Sequence, residues 1–254
     1  MSPLTPEQIA SYHKNGSLLR VDEHKLVDPT DLKRWTQEVQ AWPRVKGKWM
    51  PYNEININGE RQLVHTERFI DYHPEFKSLV CAEQLAGILK AISGGKRSTT
   101  NSPRGNGFQA HLDAPAYDHI GRIEHVTANV AIDATTPENG CLEVVPGSHK
   151  MKIEFAEAGR IMSEWEDAHE WTSIPLEMAE NKTDKTRSSL YATFPSRSDE
   201  EDLRERYYKH RMEMFPPEHE RGEDKDYSKG YETYGFAAPF TKAQNNAATT
   251  TEVV

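Results

Sequence analysis

The sequence has little cysteine and no long apolar run. Cys81 and Cys141 are the two cysteines in 254 residues, which excludes a disulfide framework and favours a reducing compartment. No stretch approaches the ~20 apolar residues of a membrane-spanning helix. The first residues lack an apolar signal segment, and the last three are not the peroxisomal Ser-Lys-Leu address. We therefore predict a cytoplasmic protein that binds no membrane.

The chain also has fewer basic than acidic residues. The net charge is -9 and the sequence pI is about 5.7, so a nucleic acid is not expected as a partner. The sequence contains no Walker loop, dinucleotide fingerprint or nucleophile elbow, which removes the common nucleotide-binding and serine-hydrolase motifs. Length and composition predict a single domain over residues 1–240 with a helical amino-terminal flank, and a low-complexity, disordered tail over 241–254.

Apolar periodicity predicts four helices. The strongest pattern begins at Pro74 and ends at Ser93-Gly94-Gly95, with one apolar stripe that runs from Phe76 to Ile92. A first short helix has Thr5 as N-cap and Pro6 at its first position. The other two helices are predicted at Asp31–Ala41 and Ser198–His210.

Strands rich in β-branched residues are predicted in the second half. Glu124–Ile132 and Cys141–Val145 flank Asn139-Gly140, a hairpin turn signal. Ser188–Phe194 alternates as a third strand. Lys96–Asn106 has no apolar residue and is predicted to be a loop.

Two candidate metal ligands, His111 and Asp113, lie two residues apart. In an extended segment, positions i and i+2 project to the same face, so this imidazole and this carboxylate would converge. Two His and one carboxylate form the ligand set of non-haem iron(II) oxygenases. A single His-x-Asp is weak evidence, because many unrelated chains contain one.

Three motifs give the pair its context: HLDAPAY, TTPENGCLEVVPGSHK and NKTDKTRSSLYATF. With these motifs the chain resembles the phytanoyl-CoA dioxygenase family of iron(II)- and 2-oxoglutarate-dependent oxygenases. The resemblance covers about Glu60 to Phe240, and the middle motif is the most specific.

The resemblance implies a mainly β fold with flanking helices: a double-stranded β-helix of jelly-roll or cupin-like type, here incomplete. It implies that His111 and Asp113 bind Fe(II) and that Arg187 grips the distal carboxylate of 2-oxoglutarate with a bidentate guanidinium. Tyr117 either lines the substrate mouth or is an aromatic at the sheet edge. The implied partners are molecular oxygen and a small-molecule substrate, such as a phosphonate- or hypophosphite-type anion or a secondary metabolite. The oligomeric state is left open.

The chain departs from the family pattern in two places. Lys96–Asn106 stands where relatives have an apolar strand. Near Met178, relatives have a strand followed by the distal iron-binding His, and this chain runs directly into Ala179-Glu180-Asn181. Two hypotheses follow. The chain is an active dioxygenase, with a substitute ligand such as His169 or with a loss confined to this gene model. Alternatively, it is a non-catalytic remnant that binds a small molecule or another protein.

Overall fold

The computed structural model describes residues 3–18, 26–55, 59–93, 100–101, 110–111, 117, 119–120, 125–155, 161–176, 188–195 and 203–234. Asp113, Arg187 and the tail predicted at 241–254 lie outside these residues. Short 3₁₀ turns link several elements. The α-helices are α1 (Pro6–Asn15), α2 (Pro29–Gln40), α3 (Pro74–Val80), α4 (Glu83–Ser93), α5 (Ser163–Asp167), α6 (Leu203–Met214) and α7 (Ser228–Tyr234).

Seven described strands form three antiparallel sheets: β1 pairs with β2, β5 pairs with β6, and β7 lies between β3 and β4. The strands are β1 (Met50–Ile55), β2 (Arg61–Glu67), β3 (Thr100–Asn101), β4 (His125–Ala131), β5 (Leu142–Val144), β6 (Thr172–Ile174) and β7 (Ser189–Pro195). The strands predicted at Glu124–Ile132 and Ser188–Phe194 are therefore confirmed as the paired strands β4 and β7.

The sheet β3-β7-β4 has an apolar outer face. Val126 lies opposite Phe194, and Val130 lies opposite Leu190. This face packs against α2, α3 and α4 in a core that includes Leu32, Phe76, Leu79, Leu85 and Leu89. The outer face is thus the structural face of the sheet, and the opposite face is left for other uses.

The amino-terminal helix follows its prediction. The Thr5 hydroxyl accepts the Gln8 N–H, and the Gln8 side chain accepts the Thr5 N–H, which completes a capping box. Gly16 ends the helix at a φ of 78°, a left-handed conformation that favours glycine.

The single long helix predicted from Pro74 is wrong. The chain forms α3 and α4, and the interruption falls at Cys81, whose N–H bonds the Lys77 carbonyl as the cap of α3. The apolar stripe itself is confirmed, because both helices bury their apolar sides in the same core. Periodicity alone could not place the break, since the stripe continues across it.

Two further expectations are corrected. Strand β5 pairs with β6 rather than forming a hairpin with β4, because a 3₁₀ turn over Pro137–Asn139 precedes Gly140. Of the Asn139-Gly140 pair, only Gly140 has a positive φ. The predicted loop at Lys96–Asn106 contains the short strand β3, in which Thr100 lies opposite Thr193.

A second core joins the β1-β2 hairpin to α6 and α7. Tyr52, Tyr207 and Tyr208 are buried there, and the buried Arg211 and Glu67 form an ion pair at 2.6 Å. A Cβ on Gly230 would meet the Met214 backbone at 1.8 Å, so α7 approaches the end of α6 closely. None of the described helices combines the length and apolar character needed to cross a bilayer.

Candidate functional site

The inner face of β4 and β7 is polar. Thr127 lies opposite Thr193, and Asn129 lies opposite Tyr191. The Thr127 and Thr193 hydroxyl oxygens are 3.2 Å apart. The face opposite the apolar core therefore presents hydroxyl and amide groups along two adjacent strands.

Tyr117 lies on this inner face. Its side chain is buried, and its hydroxyl donates to the Thr193 hydroxyl at 3.4 Å. The Tyr117 ring lies 5.1 Å from the His125 ring and 5.2 Å from the Tyr207 ring. Tyr117 thus joins the polar face of the sheet to the aromatic side chains of α6.

Two buried polar atoms on the inner face have no hydrogen-bond partner among the described residues. They are the hydroxyl oxygen of Ser189 and the amide oxygen of Asn129. Ser189 is 5% exposed. A buried polar atom without a partner costs about 1–3 kcal/mol, so a polar ligand on this face would recover that cost.

The start of β7 is anchored from the neighbouring strand. The Asp133 carboxylate accepts the Ser188 N–H at 2.9 Å and lies 3.6 Å from the Lys33 ammonium. This contact fixes the residue before Ser189. Arg187, the predicted 2-oxoglutarate ligand, is the next residue toward the amino terminus and lies outside the described residues.

Of the two predicted iron ligands, His111 is described and Asp113 is not. His111 is half-buried, and the carbonyl of its neighbour Ala110 accepts the Ile161 N–H at 3.2 Å. Within the described ranges, no three His, Cys, Asp or Glu side chains come close enough together to hold a metal ion. The described residues therefore place one predicted ligand and leave the predicted set incomplete.

His169, the suggested substitute ligand, is engaged within its own turn. Its ring stacks on Trp165 with ring centroids 3.9 Å apart, and its Nδ1 is 2.7 Å from the Trp165 carbonyl oxygen. This contact occupies Nδ1 and leaves Nε2 as the nitrogen that a metal would use. Nothing in the described geometry brings His169 to His111.

A cluster of two histidines and two tyrosines borders Tyr117. We call it the histidine cluster: His119, His210, Tyr207 and Tyr234. The His119 and His210 rings stack with centroids 3.9 Å apart and an angle of 17° between planes. His210 Nδ1 is 2.6 Å from the Tyr234 hydroxyl.

The electrostatics of the cluster disfavour a charged His119. Burial, and then the positive charges of His210 and Arg206, lower the pKa of His119 to about 4. Burial raises the pKa of Tyr207 and of Tyr234, so both phenols stay protonated at neutral pH. Without a bound anion, His119 is a neutral imidazole.

The residues predicted from the sequence for the site do not include His119, His125, Ser189 or Asn129. A signal for the inner face was present, because polar residues occupy alternate positions of both β4 and β7. The contact between His119 and His210 had no such signal, since it joins distant parts of the chain.

Comparison with known proteins identifies the family of this chain. The profile of the phytanoyl-CoA dioxygenase (PhyH) family matches residues 12–195. The chain belongs to the phytanoyl-CoA dioxygenase family. It is 32% identical to a 2-aminoethylphosphonate dioxygenase of the uncultured bacterium HF130_AEPn_1, over 94% of this chain and 99% of the relative. It is 33% identical to the dioxygenase lolE1 of Epichloe uncinata, over 85% and 92% of the two chains.

The alignment with the phosphonate dioxygenase contains unmatched positions. It runs over 261 positions, whereas 94% of the 254 residues of this chain is about 239. The relative therefore has about 22 positions with no counterpart in this phytanoyl-CoA dioxygenase family member.

A solved structure shares the fold. EctD from S. alaskensis, crystallised with 2-oxoglutarate and 5-hydroxyectoine, matches with a TM-score of 0.61 at 15% identity, over 77% of each chain. The predicted fold class, a mainly β jelly roll with flanking helices, is confirmed.

Proposed function

We propose that this family member binds 2-oxoglutarate on the inner face of β4 and β7 and hydroxylates a small substrate, of the phosphonate or another organic class. The single observation that carries the proposal is Ser189. Its buried hydroxyl lacks a partner among the described residues and faces away from the apolar core. A carboxylate is a strong hydrogen-bond acceptor for such a hydroxyl.

Arg187 supplies the charge in this proposal. It lies two positions before Ser189 in the sequence. A guanidinium and a hydroxyl together suit the distal carboxylate of 2-oxoglutarate, with the arginine as a bidentate donor. Asn129 offers a further polar group one strand away.

In this proposal His111 and Asp113 bind the metal. When bound, Fe(II) supplies the oxygen chemistry, and the protein supplies binding and orientation. The described donors do not form a complete set, so no step at the metal is assigned to particular residues. Tyr117, hydrogen-bonded to Thr193, would form one wall of the substrate site.

The substrate class comes from the relatives. One relative is named for 2-aminoethylphosphonate, which supports a small phosphonate as the substrate. The name of the second relative, dioxygenase lolE1, gives no substrate, and an organic metabolite stays within the proposal. In either case molecular oxygen is the second reactant.

A second candidate is a non-catalytic member that binds 2-oxoglutarate or a related carboxylate. About 22 positions of the phosphonate dioxygenase lack a counterpart here, which fits a lost strand and distal His. Every residue of β4 is also partly exposed, whereas five of the residues of β7 are buried. A strand exposed along its length is consistent with a missing neighbour.

An anaerobic titration separates the two candidates. The purified protein is titrated with Fe(II) and 2-oxoglutarate, followed by visible absorption and by calorimetry. The dioxygenase proposal predicts a metal-to-cosubstrate band that is lost in His111→Ala and kept in the control His169→Ala. Calorimetric binding of 2-oxoglutarate without any band at saturating Fe(II) favours the non-catalytic member. Absence of both signals contradicts both candidates.

A further inference from the structure

The histidine cluster contains a polar side chain that the fold does not use. Neither His119 Nδ1 nor His119 Nε2 has a hydrogen-bond partner among the described residues, and both atoms are shielded from solvent. An imidazole carries at least one N–H donor in every protonation state. Satisfied histidines of a core bond at least one ring nitrogen, so His119 does not fit an ordinary structural role.

The surroundings of His119 are aromatic on two sides. Tyr207 lies nearly parallel to it at 5.8 Å, and Tyr234 meets it edge-on at 6.1 Å. The Tyr207 ring contacts Tyr117 in turn. The cluster is therefore continuous with the inner face proposed to bind 2-oxoglutarate.

The charges around His119 are positive. His210 stacks on it, and Arg206, exposed on α6, adds its charge. On β4, His125 contacts Tyr117. The buried acid of the neighbouring core, Glu67, is paired with Arg211, whose guanidinium lies over the Tyr234 ring. An anion placed at His119 would thus meet two imidazoles and a guanidinium without an opposing free carboxylate among these groups.

We propose that His119 and His210 bind the anionic headgroup of the substrate, a phosphonate or a similar tetrahedral oxyanion, and that His119 takes up a proton as the anion binds. This inference rests on the proposed function for the identity of the ligand as a substrate. Tyr207 and Tyr117 contact the carbon side of the headgroup, so a carbon-bearing phosphonate binds more tightly than inorganic phosphate.

The proton uptake has a physical cause. Free His119 is held neutral by burial and by its positive neighbours, so its pKa is about 4. The adjacent anion, which at pH 6 is the phosphonate monoanion, reverses the local potential and favours the imidazolium. At pH 6 the free protein has a neutral His119 and the complex has a charged one. The proton comes from the buffer, and no other bond forms or breaks.

The test is calorimetry of the full chain with methylphosphonate and, separately, inorganic phosphate at pH 6, in two buffers of different ionisation heat. The expected result is methylphosphonate binding with uptake approaching one proton per site. We expect His119→Gln and His210→Gln each to weaken that binding about tenfold, as loss of a charged hydrogen bond does. The control His169→Gln should stay within about twofold.

Three results overturn the inference: no methylphosphonate binding by the unaltered protein, equal affinity in His119→Gln, or binding without proton uptake. Equal affinity for phosphate and methylphosphonate contradicts the assignment to a substrate. Far-ultraviolet circular dichroism of each variant checks that it is folded, and His210→Gln serves if His119→Gln is not. A separate 2-oxoglutarate titration of the same samples keeps the two claims apart, because its failure removes the proposed function while anion binding at the cluster would survive.

Discussion

The core beneath α6 and the inner face of β4 and β7 differ in how they hold buried polar groups. In the α6 core, the Arg211 charge is paired with Glu67 at 2.6 Å, and the guanidinium lies over the rings of Tyr52 and Tyr234 at 4.8 and 4.4 Å. On the inner face, Ser189 and Asn129 keep polar atoms without a partner among the described residues. The first region pairs its buried charges within the fold, and in the proposed function the second offers its polar atoms to a ligand.

The largest effect is expected in the α6 core. Arg211→Met removes the arginine partner of the buried Glu67 carboxylate, and breaking a buried ion pair in this way typically costs about 3–5 kcal/mol. Urea unfolding followed by circular dichroism measures the loss. Lys209→Met, on the exposed side of the same helix, should stay within about 0.5 kcal/mol.

A double variant sharpens the same test. Arg211→Met combined with Glu67→Gln removes both charges, so it should be less destabilised than Arg211→Met alone. If the double variant were no more stable than the single one, packing of the guanidinium on the aromatic rings, rather than charge pairing, would be its main contribution.

The outer face of β7 belongs to the apolar core. Leu190 on this face is 2% exposed, and Leu190→Ala should cost about 2–5 kcal/mol because a cavity remains in the core. Leu142 on β5 is 41% exposed, so Leu142→Ala should cost about 0.5 kcal/mol or less. Thermal or urea unfolding checks both, and equal losses would contradict the placement of Leu190 in the core.

A substitution at the neighbouring Ser189, on the inner face, should change ligand binding rather than stability. Ser189→Ala removes a buried hydroxyl without a described partner, so stability should hold or rise slightly. The dissociation constant of this variant for 2-oxoglutarate should rise about tenfold, which corresponds to a loss of about 1.4 kcal/mol of binding free energy. Calorimetry measures the affinity, with Ser173→Ala as the control, because the half-buried Ser173 lies on β6 and its hydroxyl donates to Glu143. A destabilised Ser189→Ala with unchanged 2-oxoglutarate affinity would assign the hydroxyl to the fold.

The remaining prediction is a pH dependence of stability that comes from His119. Its pKa is about 4 in the folded protein and near 6.5 when unfolded. Only the unfolded state takes up the proton between these values, so the contribution of His119 to stability is present above pH 6.5 and lost as the pH falls toward 4. Urea unfolding at several pH values should show a shallower decline for His119→Gln. Parallel declines would mean that His119 titrates normally in the fold.

The local elements were largely readable from the sequence. The Thr5 capping box, β4 and β7 follow from residue types a few positions apart. The break at Cys81 was not readable, because the apolar stripe runs through it. The pairing of β5 with β6 was also missed, since the Asn139-Gly140 signal predicts a hairpin and cannot exclude a more distant partner.

The candidate site could likewise be predicted from the sequence only in part. Family motifs point to His111, Asp113 and Arg187, and the alternation of polar residues in β7 marks the face of Ser189. The stack of His119 on His210 depends on how α6 docks beside Tyr117, which is a tertiary contact without a local signature. Sequence therefore predicts strand faces, and the fold decides which distant side chains meet.

The most direct measurement is hydrogen–deuterium exchange with and without saturating 2-oxoglutarate. The central claim is that the ligand binds the inner face of β4 and β7. It predicts slower exchange in peptides that cover His125–Ala131 and Ser189–Pro195, with no change in β1 and β2. Unchanged exchange in β4 and β7 at proven saturation, or protection confined to the β1-β2 hairpin, would contradict it.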